Sequence, residues 1–402
     1  MGQRHVARYA RLIGALSLFA LSVLFVVAPS RAIASTTTST STTTTSPVTT
    51  DSATRSATNL ACALKAVSSW TLPQLANETI VVSVNVANVG AMVPAARGGF
   101  GGLLLFGASA PVNIASTIAR VQARTLHPYP MLIMTDEEGG GVQRLTNVIG
   151  SIPWASTMGK NLTPQRITSV GARIGAAMLS AGVTVDLAPV LDVDGRKIEP
   201  GRLDPDGYRS FSGSVSVVAQ DATAFMQGLN RANVTSVIKH FPGLGGVSQN
   251  TDYGPATTKP WAQLKKTGLV PFEVAIKAGA PAVMLSNATV PGLTSLPASL
   301  SPVVVRELRQ NLGFKGLIMT DSLTAGAIGA LHLASPAAAV KALQAGVNMI
   351  LAGAPQSPID SLALAQSIAD AVVHAVNGGA LSLSTLQSDA AQVLALRNVL
   401  SC

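Results

Sequence analysis

The chain has 402 residues and a formal net charge of +9, yet only 12% of its side chains are charged and 48% are hydrophobic. With no Lys/Arg cluster to make a basic stripe, that balance argues against a nucleic-acid partner. Five widely scattered histidines (His5, His127, His240, His332, His374) have no metal-ligand spacing, so neither a metal nor a cofactor is expected.

The first 34 residues read as a secretory signal. Arg4, Arg8 and Arg11 precede an apolar stretch from Leu12 to Val27, and Ala32-Ile33-Ala34 supplies a small-x-small cleavage pattern. The rival reading is an uncleaved anchor, but the run is short for a bilayer span, and no Cys follows it closely to carry a lipid. The expectation is an exported chain, secreted or associated with the cell envelope, with no stable membrane span after cleavage. Four arginines leave with the signal, which lowers the net charge from +9 to +5. Residues 35–58 are mostly Ser and Thr and read as a disordered linker, because they have little to bury against their ordering entropy.

Residues 59–402 are long enough for one large domain. Eight apolar runs recur through it: Ile80–Val84, Gly102–Phe106, Met131–Met134, Val183–Leu187, Ser236–Ile238, Ala282–Leu285, Leu317–Met319 and Met349–Leu351. Amphipathic stretches such as Ile167–Ala181, Val217–Ala232, Val303–Asn311 and Ala337–Ala345 lie between them. Runs without polar alternation suit parallel strands buried on both faces. The pattern predicts a single-domain α/β fold, a TIM-type (β/α)8 barrel, with a doubly wound open sheet as the alternative. Gly98–Gly102 and Gly139–Gly141 lack the flanking signature of phosphate loops and read as tight turns at barrel ends. Cys62 and Cys402 sit near the two ends of the domain. In an oxidising compartment they are expected to form a disulfide that staples those ends.

Polar residues follow the apolar runs. Asp136 comes after the third, Asp192 after the fourth, Lys239-His240 closes the fifth, Asn287 follows the sixth and Asp321 the seventh. Each carboxylate alone could be a helix cap. Gathered at the C-terminal ends of barrel strands, they read as a site.

Five motifs sharpen that reading: Asp136-Glu137-Glu138-Gly139-Gly140-Gly141-Val142-Gln143-Arg144-Leu145, Asp186-Leu187-Ala188-Pro189-Val190-Leu191-Asp192-Val193, Arg209-Ser210-Phe211, Lys239-His240-Phe241-Pro242-Gly243 and Met319-Thr320-Asp321-Ser322-Leu323. In this order they resemble the single-domain members of glycoside hydrolase family three, the bacterial β-N-acetylglucosaminidases acting on cell-wall fragments. The resemblance spans Gly101 to Gly353. It implies an exported retaining β-glycosidase, a β-N-acetylhexosaminidase with a peptidoglycan-derived or other β-linked glycan as substrate, working as a monomer without a cofactor. By the same resemblance Asp321 is the nucleophile. Asp136, Arg144, Arg209, Lys239 and His240 match positions that bind the sugar in the −1 subsite. Lys239 is expected beside Asp321, helping to keep it ionised.

The departures from the family pattern concern the acid/base. Where the family reads Pro-Gly-His-Gly and then Asp-Ser-His, this chain has Pro242-Gly243-Leu244-Gly245 and Asn250-Thr251-Asp252, so Asp252 replaces the acid/base histidine. Glu137, Gly141, Asn287 and Asn348 also depart from the common residues. Three readings follow: Asp252 serves as general acid/base with a raised pKa; the loop acid is a turn residue and only good leaving groups react; or the barrel is a glycan-binding pseudoenzyme of the envelope. A β-glucosidase specificity is a further alternative.

Overall fold

The computed structural model describes residues 48–397 except 354 and 356, together with 399 and 402. The expected signal, and the expected linker as far as residue 47, lie outside the described residues. From there the linker expectation fails, because Val48–Val67 is a helix. Its Ser/Thr content conceals good helix formers, Ala53, Ala57 and Ala61, one turn apart. Leu60, Ala63 and Val67, three and four residues apart, then seat the helix against the last one, Leu383–Ala395.

Each of the eight apolar runs becomes a strand: β1 (Ile80–Asn85), β2 (Gly102–Phe106), β3 (Leu132–Thr135), β4 (Val185–Asp186), β5 (Thr235–Phe241), β6 (Ala282–Leu285), β7 (Leu317–Thr320) and β8 (Ile350–Leu351). They pair in parallel in chain order, and β8 returns to β1 with Ile350 opposite Ile80. A parallel bridge between Met319 and Met349 and a Thr320 N to Met349 O bond of 3.1 Å join β7 to β8. The ring is therefore closed. This is a (β/α)8 barrel, not an open sheet.

The two-residue period of the strands sorts their side chains. Val81, Leu104, Leu132, Met134, Val237, Met284, Leu317 and Met319 fill the interior. Their neighbours Val82, Leu103, Leu105, Ile133, Ile238, Val283 and Ile318 meet the surrounding helices. Burial on both faces is why no polar alternation shows in the sequence. The helix Pro358–Asn377 is long and apolar enough to cross a membrane by composition. It is nevertheless a barrel helix, burying Ala365, Ile368, Ala369, Val372 and Ala375 and packing on β1.

The C-terminal segment closes the N-terminal rim of the barrel. Val393 and Leu396 join the interior cluster. Arg397 Nη2 lies 2.7 Å from Glu78 Oε1 and donates to Gly101 O at 3.2 Å, immediately before β1 and β2. Gly101 must be glycine, since a Cβ there would lie 1.9 Å from Glu78 O. Cys62 and Cys402 form a disulfide, with Cα atoms 5.7 Å apart across 340 residues of chain. A cross-link of this kind contributes about 2–4 kcal/mol.

Asp389 on the last helix is buried and accepts a 2.9 Å bond from Asn348 Nδ2. Asn348 Oδ1 in turn accepts from Ile318 N and Arg309 Nη2, so it ties the last helix to β7. Burial pushes the Asp389 carboxyl up to about 7, against the pull of the Asn348 bond and Arg309. The native carboxyl thus holds its proton to about pH 7, while in the unfolded chain it is lost near the ordinary value of 3.8. Stability should fall as pH rises through that window. Asp389→Asn is expected to flatten this fall and add about 1–3 kcal/mol at pH 8. Urea unfolding from pH 4 to 8 checks it; an unchanged slope would dismiss Asp389 as its source.

Candidate active site

The C-terminal ends of β3 to β7 converge on one face. Asp136 follows β3, and the stretch after it folds into a small antiparallel hairpin, Glu137–Gly139 against Val142–Gln143. Glu137 organises that hairpin from within, accepting bonds from the backbone N–H groups of Arg144 and Leu145, both 2.8 Å, and from Gln143 Nε2 at 3.1 Å. Burial pushes its carboxyl up to about 7, against these three bonds. At the tip, Gly140 has φ +57° and would drive a Cβ to within 1.9 Å of the Trp154 ring. The turn expected of the Gly-rich run is therefore needed for this close approach.

Lys239 lies near the C-terminal end of β5 and is buried. Its Nζ stands 2.7 Å from Asp136 Oδ1 and 2.7 Å from Glu138 Oε1. Arg209 grips Glu138 with a fork, Nε to Oε2 at 2.7 Å and Nη2 to Oε1 at 2.9 Å, and spends Nη1 on Pro205 O. Arg144 Nη2 is 3.6 Å from Asp136 Oδ2. Burial opposes ionisation of Asp136 and Glu138. For Asp136, Lys239 and then Arg144 outweigh it; for Glu138, Arg209 and then Lys239 do so, and both carboxyls stay below their usual range. Burial likewise disfavours the Lys239 ammonium, but Asp136 and Glu138 hold its pKa above the ordinary value. The expectation that Lys239 serves Asp321 is corrected here. Its partners are Asp136, 103 residues earlier in the chain, and Glu138 in the hairpin that follows.

His240 donates its ring Nδ1–H to Asp192 Oδ2 at 2.6 Å, while Asp192 Oδ1 accepts from Leu244 N at 2.6 Å and His240 N at 3.3 Å. The carboxylate can only accept, so it fixes the tautomer and leaves Nε2 as the ring nitrogen available to a ligand. Asp321 follows β7, its backbone N–H bound to Leu285 O at 3.0 Å and its Oδ1 accepting from Ser322 N at 2.7 Å. Asn287 buttresses that turn by donating to Ser322 O at 2.7 Å while accepting from Ser299 Oγ at 2.6 Å.

Asp252 lies on the long β5 loop, which is pinned on two sides. Its carbonyl accepts from Gly326 N at 3.0 Å, beside the Asp321 turn, and Asn250 N donates to Arg202 O at 2.9 Å. Asn250 Oδ1 also takes Asp252 N at 2.9 Å, so the residue in place of the family Asp shapes the turn instead. The Asp252 side chain is exposed, and its pKa is raised by partial burial and then by the charge of Asp321. Solvent screens part of that rise. On the same face an open depression of about 580 Å³, lined by Thr257, Thr289, Leu293 and Thr294 among others, contains no titratable side chain. It can add contact area but no proton transfer.

The face thus joins Asp136, Arg144, Arg209, Lys239, His240, Asp252 and Asp321, the residues singled out from sequence. Glu138, the hub that binds both Lys239 and Arg209, received no role there. Its position directly beside Asp136 in a motif rich in acids was the available signal.

A polar site at the C-terminal rim of a closed (β/α)8 barrel, with several carboxylates and fixed cations, is the site of a barrel enzyme. Residues 77–396 match the glycosyl hydrolase family 3 N terminal domain, and the chain belongs to this family of glycoside hydrolases, which act on O-glycosyl bonds. It is 32% identical over 316 residues to an uncharacterized secreted glycosyl hydrolase of Arthroderma benhamiae, covering 76% of this chain and 86% of that protein. With the β-hexosaminidase LpqI of Mycobacterium tuberculosis it shares 36% identity over 235 residues, 56% of this chain and 58% of LpqI. The structure of the β-N-acetylhexosaminidase from Beutenbergia cavernae superposes with a TM-score of 0.74 at 29% identity, covering 82% of this chain and 99% of that one.

Proposed function

We propose that this protein is an exported retaining β-N-acetylhexosaminidase that removes terminal β-linked N-acetylglucosamine from peptidoglycan-derived or related glycans. The observation that carries the reading is the tie between the β5 loop and the turn after β7, where the Asp252 carbonyl accepts from Gly326 N, five residues beyond Asp321. The double-displacement reaction needs two carboxyls, one to attack the anomeric carbon and one to pass a proton to the leaving oxygen. Asp321 attacks the anomeric carbon and forms a glycosyl ester while the glycosidic C–O bond breaks. Asp252 gives its proton to the departing oxygen. Water then attacks the same carbon and yields a proton to Asp252, and Asp321 is released. Asp136, Lys239, Arg144 and the Nε2 of His240 supply the polar contacts for the sugar. Arg209, with its fork engaged by Glu138, holds that contact set in place. The relatives named β-hexosaminidase and the secreted fungal relative support the sugar and the export.

The test is turnover of nitrophenyl β-N-acetylglucosaminide, β-glucoside and β-xyloside by the mature chain. A clear preference for the first is expected. Preference for the glucoside would replace the sugar assignment, and silence on all three with retained glycan binding would make the protein a lectin-like barrel. For the acid/base, Asp252→Asn should lower kcat/KM by about 10²–10⁴-fold on substrates with poor leaving groups. It should spare the nitrophenyl substrate by comparison, since that leaving group needs little protonation. Equal loss on both would reduce Asp252 to a turn residue.

A further inference from the structure

Behind the Asp192–His240 pair, the loop that leads from β4 to the helix Val215–Arg231 brings three aspartates together. Asp194, Asp204 and Asp206 are all buried, and one carboxylate oxygen from each lies within 4.8 Å of the others. Their donors are few. Arg196 N donates to Asp194 Oδ1 at 2.9 Å, and the backbone N–H groups of Asp206 and Gly207 donate to Asp204 Oδ1 at 3.0 and 3.2 Å. Arg196 Nε lies 3.0 Å from Asp194 Oδ2 and 2.6 Å from Asp204 Oδ2, with hydrogen-bond geometry only towards Asp194.

Asp206 has nothing. It is 0% exposed, and neither of its oxygens meets a donor. The guanidinium of Arg209 is committed to Glu138 and Pro205 O. A fully buried carboxylate without donors is strongly unfavourable, and an orphan of this kind calls for a partner. Asp192, close by, is already engaged by His240 and Leu244, so the open acceptors are Asp204 Oδ2 and both oxygens of Asp206.

We infer that Asp194, Asp204 and Asp206 form a binding site for a hard divalent cation of the Ca²⁺ class. Three carboxyl groups meet a single guanidinium here, and such an ion binds through oxygen ligands alone. Arg196, whose side chain is 43% exposed, is the resident counter-charge and turns out to solvent when the ion binds. The expectation of no metal rested on scattered histidines, a criterion that carboxylate-only sites escape. The ion would stiffen the loop that carries Arg209, and whose Arg202 O holds Asn250 beside Asp252. The inference stands apart from the choice of sugar or acid/base, and its test reads binding and stability without any substrate.

The mature chain, dialysed against chelator, would be titrated with Ca²⁺ while its melting temperature is followed, and with Tb³⁺ while sensitised luminescence is followed. Tyr208 lies two residues from Asp206, and the Trp154 ring is 5.9 Å from its own, so both can act as antennae. A rise of several degrees with millimolar Ca²⁺ is expected, with a saturable Tb³⁺ signal that Ca²⁺ displaces. Asp206→Asn should weaken both at least tenfold, yet fold without the ion, since it removes an orphaned charge. Arg196→Gln, which removes the competing cation, should tighten Tb³⁺ binding severalfold. Neither a Ca²⁺-dependent shift nor a Tb³⁺ signal in the parent, or responses untouched by Asp206→Asn, would overturn the site and leave Asp206 a buried neutral acid.

Discussion

Asp321→Asn is expected to lower kcat on any β-N-acetylglucosaminide by about 10⁴-fold, roughly 5.5 kcal/mol of barrier. The amide is nearly isosteric, and its oxygen can keep the bond from Ser322 N, so the turn after β7 should stand. The lost property is nucleophilicity: a neutral amide does not form the glycosyl ester that divides the reaction into two easier steps. Sugar affinity should change little if the Lys239 network and His240 supply the polar contacts as proposed. Single-turnover kinetics with product binding measured alongside would check both halves. A variant that turned over at a rate near the parent's would remove Asp321 from the chemistry.

The second large effect is on the network itself. Lys239→Met should cost about 3–5 kcal/mol of stability, the usual penalty when one partner of a buried ion cluster is removed. The loss exceeds the net worth of the pairings, because Asp136 and Glu138 lose the buried cation they share and keep only Arg144 and Arg209. The pH dependence should shift in a defined direction. Native Asp136 and Glu138 have depressed pKa values, so their contribution is present above the ordinary carboxylate range and disappears only as pH falls through the native values. Without Lys239 those native values rise, and the acid loss should begin at higher pH. Adding Asp136→Asn to Lys239→Met should recover part of the stability, because Asp136 then keeps only the 3.6 Å contact with Arg144, whereas Glu138 keeps the Arg209 fork. Denaturant unfolding between pH 3 and 8 reads all of this; a single mutant as stable as the parent would show that the cluster is not buried as described.

Activity should fall with stability in that variant. Asp136 is aimed by Lys239, and Glu138 anchors Arg209, so the same bonds that hold the barrel mouth together also set out the groups proposed to bind the sugar. Asn287 shows the same economy at β7, where one amide joins the Asp321 turn to Ser299.

Much of this molecule was legible in the chain. Residues buried on both faces of a parallel sheet must be apolar without alternation, so Ile80–Val84, Leu317–Met319 and the other six runs announced the barrel strands before any contact was known. Chemistry collects where such strands end, and Asp136, Lys239, His240 and Asp321 could be read off as the residues that follow them. The helix Val48–Val67 was not legible, because Ser/Thr content pointed to a linker while its stability comes from packing against the last helix. Partner choice was not legible either. Lys239 pairs with Asp136 and Glu138, and three aspartates of one loop meet with one left bare, because the register of a closed ring and the path of its loops decide which charges come within 3 Å. Local sequence determines what a segment buries and where it ends; only barrel closure determines which buried charge faces which.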